Sequence, residues 1–188
     1  MIELPGMPFN QTFSFPHRLT LRTTTDGIRL FAEPVSEIEK LYEKQHVAMN
    51  RDLAPGKSVD LDVSGELFDI RATFEIGSAT AVGLDIGGNR ITYDVQTKQL
   101  NGANLAHHNG KVSIRALVDR PMLEIIGNDG RVYITSPRNK RGEVSAVTAF
   151  ADGGQAKLVK LEVHELKSIW KLHAEAAENA YEISEEQF

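Results

Sequence analysis

The chain alternates between apolar and polar residues over most of its length. In LFDIRATFEI (67–76), Phe68, Ile70, Ala72, Phe74 and Ile76 fall on one side of an extended chain, and Asp69, Arg71, Thr73 and Glu75 on the other. Val59, Leu61 and Val63 repeat the pattern, which returns in 91–95, 111–118 and 158–164. A period of two buries one face of each strand and wets the other, as in antiparallel sheets. Asp26-Gly27, Gly87-Gly88, Asn101-Gly102, Asn109-Gly110, Asp129-Gly130 and Gly153-Gly154 punctuate the runs. Such pairs reach positive φ at low cost and close hairpins. Twelve strands are predicted, near 13–15, 17–22, 28–33, 57–63, 67–76, 79–86, 90–95, 111–118, 121–126, 130–135, 143–150 and 157–166. They are too many for one open sheet and lack the helices of βαβ units. The expected fold is therefore all-β, with two packed antiparallel sheets.

Two stretches break the pattern. SEIEKLYEK (36–44) reads as a helix, with Ser36 and Glu39 placed as a capping box. KLHAEAAENAYEISEEQF (171–188) is rich in Ala and Glu and reads as a short helical or disordered C-terminal tail. With no internal repeat and no low-complexity linker, the chain divides into a lead-in (1–12), a β-sandwich domain (13–170) and an acidic tail (171–188).

Composition narrows the function. The 188 residues can bury a large core unaided, and the absence of cysteine excludes disulfides, thiolate metal sites and cysteine nucleophiles. The net charge is −5, of which five Glu against one Lys in 171–188 account for −4. The remaining −1 leaves no basic surface for nucleic acid, so no nucleic-acid partner is expected. No apolar run reaches the ~20 residues of a membrane span. MIELPGMPFNQ has neither the basic start nor the apolar stretch of a signal peptide.

The search for chemistry returns little. His107 and His108 are adjacent, in a loop, and lack the further ligands that a metal needs; no H-E-x-x-H spacing occurs. There is no G-x-S-x-G elbow. DIGGNR (85–90) leads into a strand, so it is a turn and not a phosphate loop. A glycosidase needs two opposed carboxyls in a cleft. Asp60 and Asp62 share one wet strand face, and Asp119 and Glu124 flank a turn with no cleft shown between them, so both pairs read as structural or solvated charges. Aromatic residues are sparse except at the start, where Phe9, Phe13, Phe15 and Phe31 cluster with Pro8 and Pro16, as core or as a docking surface.

Three blocks carry a family resemblance. PFNQTFSFPHRLTLRTTTDGIRLFAEPVSEIEKL (8–41) resembles the passage of glycoside hydrolase family 32 enzymes from catalytic propeller to C-terminal β-sandwich. IRALVDRPMLEIIGNDGRVYIT (114–135) and VHELKSIW (163–170) are similar to two later blocks of that family, in the same order. His17, Pro121, Met122 and Ile126 depart from its usual residues. The resemblance implies a sandwich of two sheets of about six strands each. It also implies an N-terminal catalytic propeller domain as partner, in a levanase-, inulinase- or invertase-like parent. The family's W-x-N-D-P-N-G, R-D-P and E-C motifs do not occur here. The resulting expectation is a non-catalytic module that packs on and stabilises the propeller of a fructan-hydrolysing enzyme. It has no catalytic residue, no metal and no cofactor. The alternatives are a fructan-binding module and an oligomerisation or docking unit. Phe9, Phe13, Phe15 and Trp170 are the candidate interdomain contacts. The family's levanases are often exported, while this chain carries no address of its own.

Overall fold

The computed structural model describes residues 13–138 and 142–169; the lead-in 1–12 with Phe9, and Trp170 with the tail 171–188, lie outside the described residues. The strands are β1 His17–Thr24, β2 Gly27–Pro34, β3 Tyr42–Leu53, β4 Val59–Gly65, β5 Leu67–Glu75, β6 Ala81–Ile86 and β7 Asn89–Asp94. They continue with β8 Gln99–Leu100, β9 Ala103–Asn104, β10 Lys111–Asp119, β11 Met122–Gly127, β12 Val132–Pro137, β13 Val144–Asp152 and β14 Ala156–Leu166. One six-stranded sheet has the order β12-β11-β10-β5-β14-β3, and a second has the order β4-β13-β6-β7-β8-β9. All pairings are antiparallel. The two sheets form the expected sandwich. β1 and β2 stand apart as a two-stranded sheet.

Alternation places the core. Phe68, Ile70, Ala72, Phe74 and Ile76 are all buried, with Ile114, Ala116, Leu161 and Val163 from neighbouring strands. Leu84, Ile86, Ile91 and Tyr93 of the second sheet are in the same cluster. A fully buried side chain of this size contributes roughly 1.5–3 kcal/mol relative to exposure, so this layer dominates the stability.

Three sequence expectations need correction. The helix predicted over 36–44 is a 3-10 turn at Ser36–Leu41, preceded by Val35, with no side-chain cap. Tyr42 leaves it in an extended conformation because its ring stacks on His164, with centroids 3.8 Å apart. Its hydroxyl also donates to Asp69. Tertiary contacts thus override a helical propensity that is weak over so few residues. Residues 13–15 are not a strand. β3, β8 and β9 went unpredicted: β3 is an edge strand with only Ala48 and Leu53 buried, and β8 and β9 have two residues each.

Gly83 shows how closely the second sheet is packed. A Cβ there would overlap the Ile91 carbonyl oxygen and lie 2.7 Å from Cζ of Phe150. The space is taken by the Phe150 ring, itself covered by the Arg90 guanidinium at 3.6 Å. Gly83→Ala is expected to cost about 1–3 kcal/mol or more through overpacking, read as a fall in urea midpoint at unchanged m-value. A midpoint equal to wild type would show that the strand yields without strain.

Candidate docking face and charged cleft

The β1–β2 hairpin has two unlike faces. The register pairs Leu19 with Ala32, Leu21 with Leu30 and Thr23 with Ile28 on one face. Arg18 with Glu33, Thr20 with Phe31, and Arg22 with Arg29 alternate with these on the other. Phe31 is buried, with the Arg22 guanidinium 4.5 Å from its ring centre. The first face is open: Leu19 is 63% exposed, Leu21 73%, Ile28 65% and Leu30 53%. Phe13, just before the hairpin, is 89% exposed. Scattered exposed leucines need no explanation, but four on one face of an isolated two-stranded sheet form a contiguous apolar surface.

Backbone and buried polar contacts hold the hairpin to the sandwich. Ala32 N–H donates to the Gly130 carbonyl at 2.9 Å. Gly130 has φ +89°, and a Cβ there would come within 2.5 Å of the Ala32 carbonyl oxygen, so only glycine allows this approach. Glu124, buried on β11, accepts from Phe15 N–H at 2.8 Å and from the Tyr133 hydroxyl at 2.9 Å. His17 has Nδ1 2.6 Å from the Phe15 carbonyl and Nε2 3.6 Å from Glu124, with its ring against Tyr133. Burial pushes the Glu124 carboxyl above its ordinary range, against the lowering by the Phe15 N–H, the Tyr133 hydroxyl and His17.

Asp69 organises the sheet face beneath. Alternation assigns it to the wet side of β5, yet it is fully buried. Arg115 forks onto it, donating from Nε at 2.8 Å and Nη2 at 2.7 Å; Arg71 Nη2 adds a bond at 3.0 Å. Tyr42 also donates to it. Burial alone would raise the Asp69 carboxyl, but the Arg115 hydrogen bonds and charge, with Tyr42 and Arg71, outweigh that and hold it below the ordinary value. Burial and the Asp69 charge push the Tyr42 hydroxyl up. Between this face and the hairpin base lies a cleft of about 690 Å³, lined by Arg71, Arg115, Glu33 and Glu39 among others.

The residues singled out from sequence are dispersed. Phe13 is exposed, whereas Phe15 is half-buried against a satellite cluster of Ile38, Leu117, Ile126 and Leu166. Phe9 and Trp170 are outside the described residues. Sequence reasoning passed over Leu19, Leu21, Ile28 and Leu30, whose alternation looks like that of any core strand. His107 is half-buried, 3.3 Å from the Tyr93 hydroxyl, while His108 is exposed. Among the described residues no three His, Asp or Glu side chains are grouped to hold a metal.

Comparison with known proteins agrees with this architecture. The family model for the glycosyl hydrolases family 32 C terminal region matches residues 37–165. A levanase of Bacillus subtilis (strain 168) is 29% identical over 196 residues, covering 89% of this chain and 29% of that protein. A levanase of Bacillus sp. (strain L7) is 24% identical over 197 residues, covering 90% of this chain and 21% of that protein. The chain therefore spans under a third of these relatives. The exo-inulinase of Aspergillus awamori superposes with a TM-score of 0.73 at 17% identity, over 88% of this chain and 38% of that one.

Three outcomes test the geometry. Asp69→Ala leaves two arginines around an empty partner position and is expected to cost about 3–5 kcal/mol. Because the Asp69 carboxyl is depressed, its stabilisation is present above the unfolded value near 3.9 and is lost as pH falls through the lower folded value. Thermal melts of Asp69→Asn between pH 2 and 5 should lack this acid-side loss; a curve parallel to wild type would reject the assignment. Gly130→Ala should raise amide exchange in residues 17–34 while leaving β5 and β10 protected. Unchanged exchange in the hairpin would show that another contact holds it.

Proposed function

The chain belongs to the glycosyl hydrolase family 32 C-terminal domain family, and on that premise we propose that it is the non-catalytic accessory module of a longer, levanase-like fructan hydrolase. Its partner in this reading is the N-terminal catalytic propeller of the same protein. The proposed division is a lead-in over 1–12, a sandwich over 13–170 and an acidic tail over 171–188. The observation that carries the reading is the open apolar face of the hairpin, with Leu19, Leu21, Ile28 and Leu30 aligned across β1 and β2. The hairpin stands at the N-terminal side of the sandwich, where a preceding domain would join. Covering these half-exposed side chains would release roughly 1 kcal/mol each, as an upper bound. That gain stabilises both partners, because the ordering of the hairpin is already supplied by Gly130 and Glu124. Asp26 at the hairpin turn, paired with Arg29, adds a charged edge to the apolar stripe, in keeping with the polar rim of an interface.

The module itself would be inert. Levan, inulin and sucrose incubated with the purified chain are expected to yield no fructose above the buffer blank. Turnover that stays with the chain through successive columns would reject the non-catalytic assignment. Docking is tested with the separately produced propeller of the parent: Leu21→Lys with Leu30→Lys should weaken capture at least about tenfold, with the chain's own melting temperature unchanged. Equal capture by the double variant would remove the hairpin face from the interface.

A further inference from the structure

We infer that the cleft between the hairpin base and the outer face of the first sheet binds a short neutral oligosaccharide. The site is separate from the docking face. Arg18 and Glu33, which line the cleft, alternate along β1 and β2 with the exposed leucines and so occupy the hairpin's other face. The inference therefore stands or falls apart from the docking reading.

The volume, about 690 Å³, lies in the ~300–1,000 Å³ range of small-molecule sites. The floor is Arg71 and Thr73 of β5 with Ser113 and Arg115 of β10, and Glu33 and Glu39 also line the cleft. The two arginines are held before any ligand arrives. Arg115 commits its Nε–Nη2 edge to Asp69, which turns Nη1 away from the aspartate; Arg71 is tied through Nη2 to Asp69, to the Tyr42 hydroxyl and to Glu39. Ordinary surface arginines must be ordered on binding, at a cost in side-chain entropy; these are already ordered by the fold. This separates the cleft from a merely solvated ion-pair surface.

Charge chooses the ligand. Arg71, Arg115, Arg18 and Lys160 line the cleft together with five carboxylates, and the Asp69 carboxylate lies beneath. An anion meets more negative than positive charge. A cation is met by guanidinium groups on the floor. A hydroxyl suits the mixture, because it accepts from a guanidinium and donates to a carboxylate at the same time. Thr73 and Ser113 add hydroxyls of their own, while Pro34, Val35 and Ile126 supply apolar surface for the C–H faces of a sugar ring. A neutral polyhydroxylated chain of about trisaccharide size matches this lining.

The test is ¹H–¹⁵N NMR of the full 188-residue chain, including the arginine Nε–H signals, titrated separately with 1-kestose, maltotriose and inorganic phosphate. Saturable millimolar shifts of the Thr73 and Ser113 amides and of Arg115 Nε–H are expected with at least one trisaccharide, and none with phosphate. Thr73→Tyr fills the cleft from a position that makes no bond to Asp69 and should abolish the shifts. Arg71→Lys keeps the charge but loses the planar fork and should weaken binding roughly tenfold. Absence of saturable shifts with both sugars, saturation of the same amides by phosphate, or unchanged binding by a folded Thr73→Tyr or Arg71→Lys variant each overturn the inference.

Discussion

Everything in this molecule depends on burying one face of each long strand between two sheets. Phe68, Ile70 and Phe74 on β5 meet Leu84, Ile86 and Ile91 across the interface, and the buried cluster runs from Ala48 to Val163 without interruption. Because side chains alternate at a period of two, filling this layer also determines what points outward. A one-residue slip of β5 would turn Phe68 and Phe74 to the outer face and Asp69 and Arg71 into the core, which the charge cost forbids.

The outer face of the first sheet is where this fold departs from a plain sandwich. It is not left to water. Tyr42, Arg71 and Arg115 close over Asp69, and Phe15, His17 and Tyr133 close over Glu124, so both carboxylates are buried. The two carboxylates solve the desolvation problem differently. Asp69 remains ionised through an Arg115 fork, an Arg71 bond and a tyrosine hydroxyl, so it gathers charged side chains around itself. Glu124 has neutral donors and a histidine, and burial moves it toward its protonated form. The first arrangement shapes a polar cleft; the second ties the chain near Phe15 to β11. His17, one of the departures from the family's usual residues, is part of that tie.

The hairpin borders both surfaces. Its polar face and base close the cleft, while its apolar face looks outward. Gly130, within the Asn128-Asp129-Gly130 turn, lets the hairpin backbone approach the sandwich, so one turn sets the position of both faces. A substitution there would move the hairpin's apolar face and the cleft wall together.

The sequence by itself determined the fold class, the strand count to within a few, the core face of β5, and the family, because period-two alternation and turn dipeptides are local signals that survive without knowledge of neighbours. It did not reveal β3, since an edge strand has one partner and needs few apolar residues to stay in place. It read 36–44 as a helix, because Ser36 and Glu39 fit a cap locally, while Asp69 and His164 extend the chain at Tyr42 from far along the sequence. It could not tell that Asp69 is buried or that Leu19, Leu21, Ile28 and Leu30 are exposed. Alternation says that a strand has two faces; which face is covered depends on Arg115, 46 residues from Asp69, and on a hairpin with no third strand. Those are decisions of tertiary structure, because burial is a property of what surrounds a side chain, and the surroundings come from elsewhere in the chain.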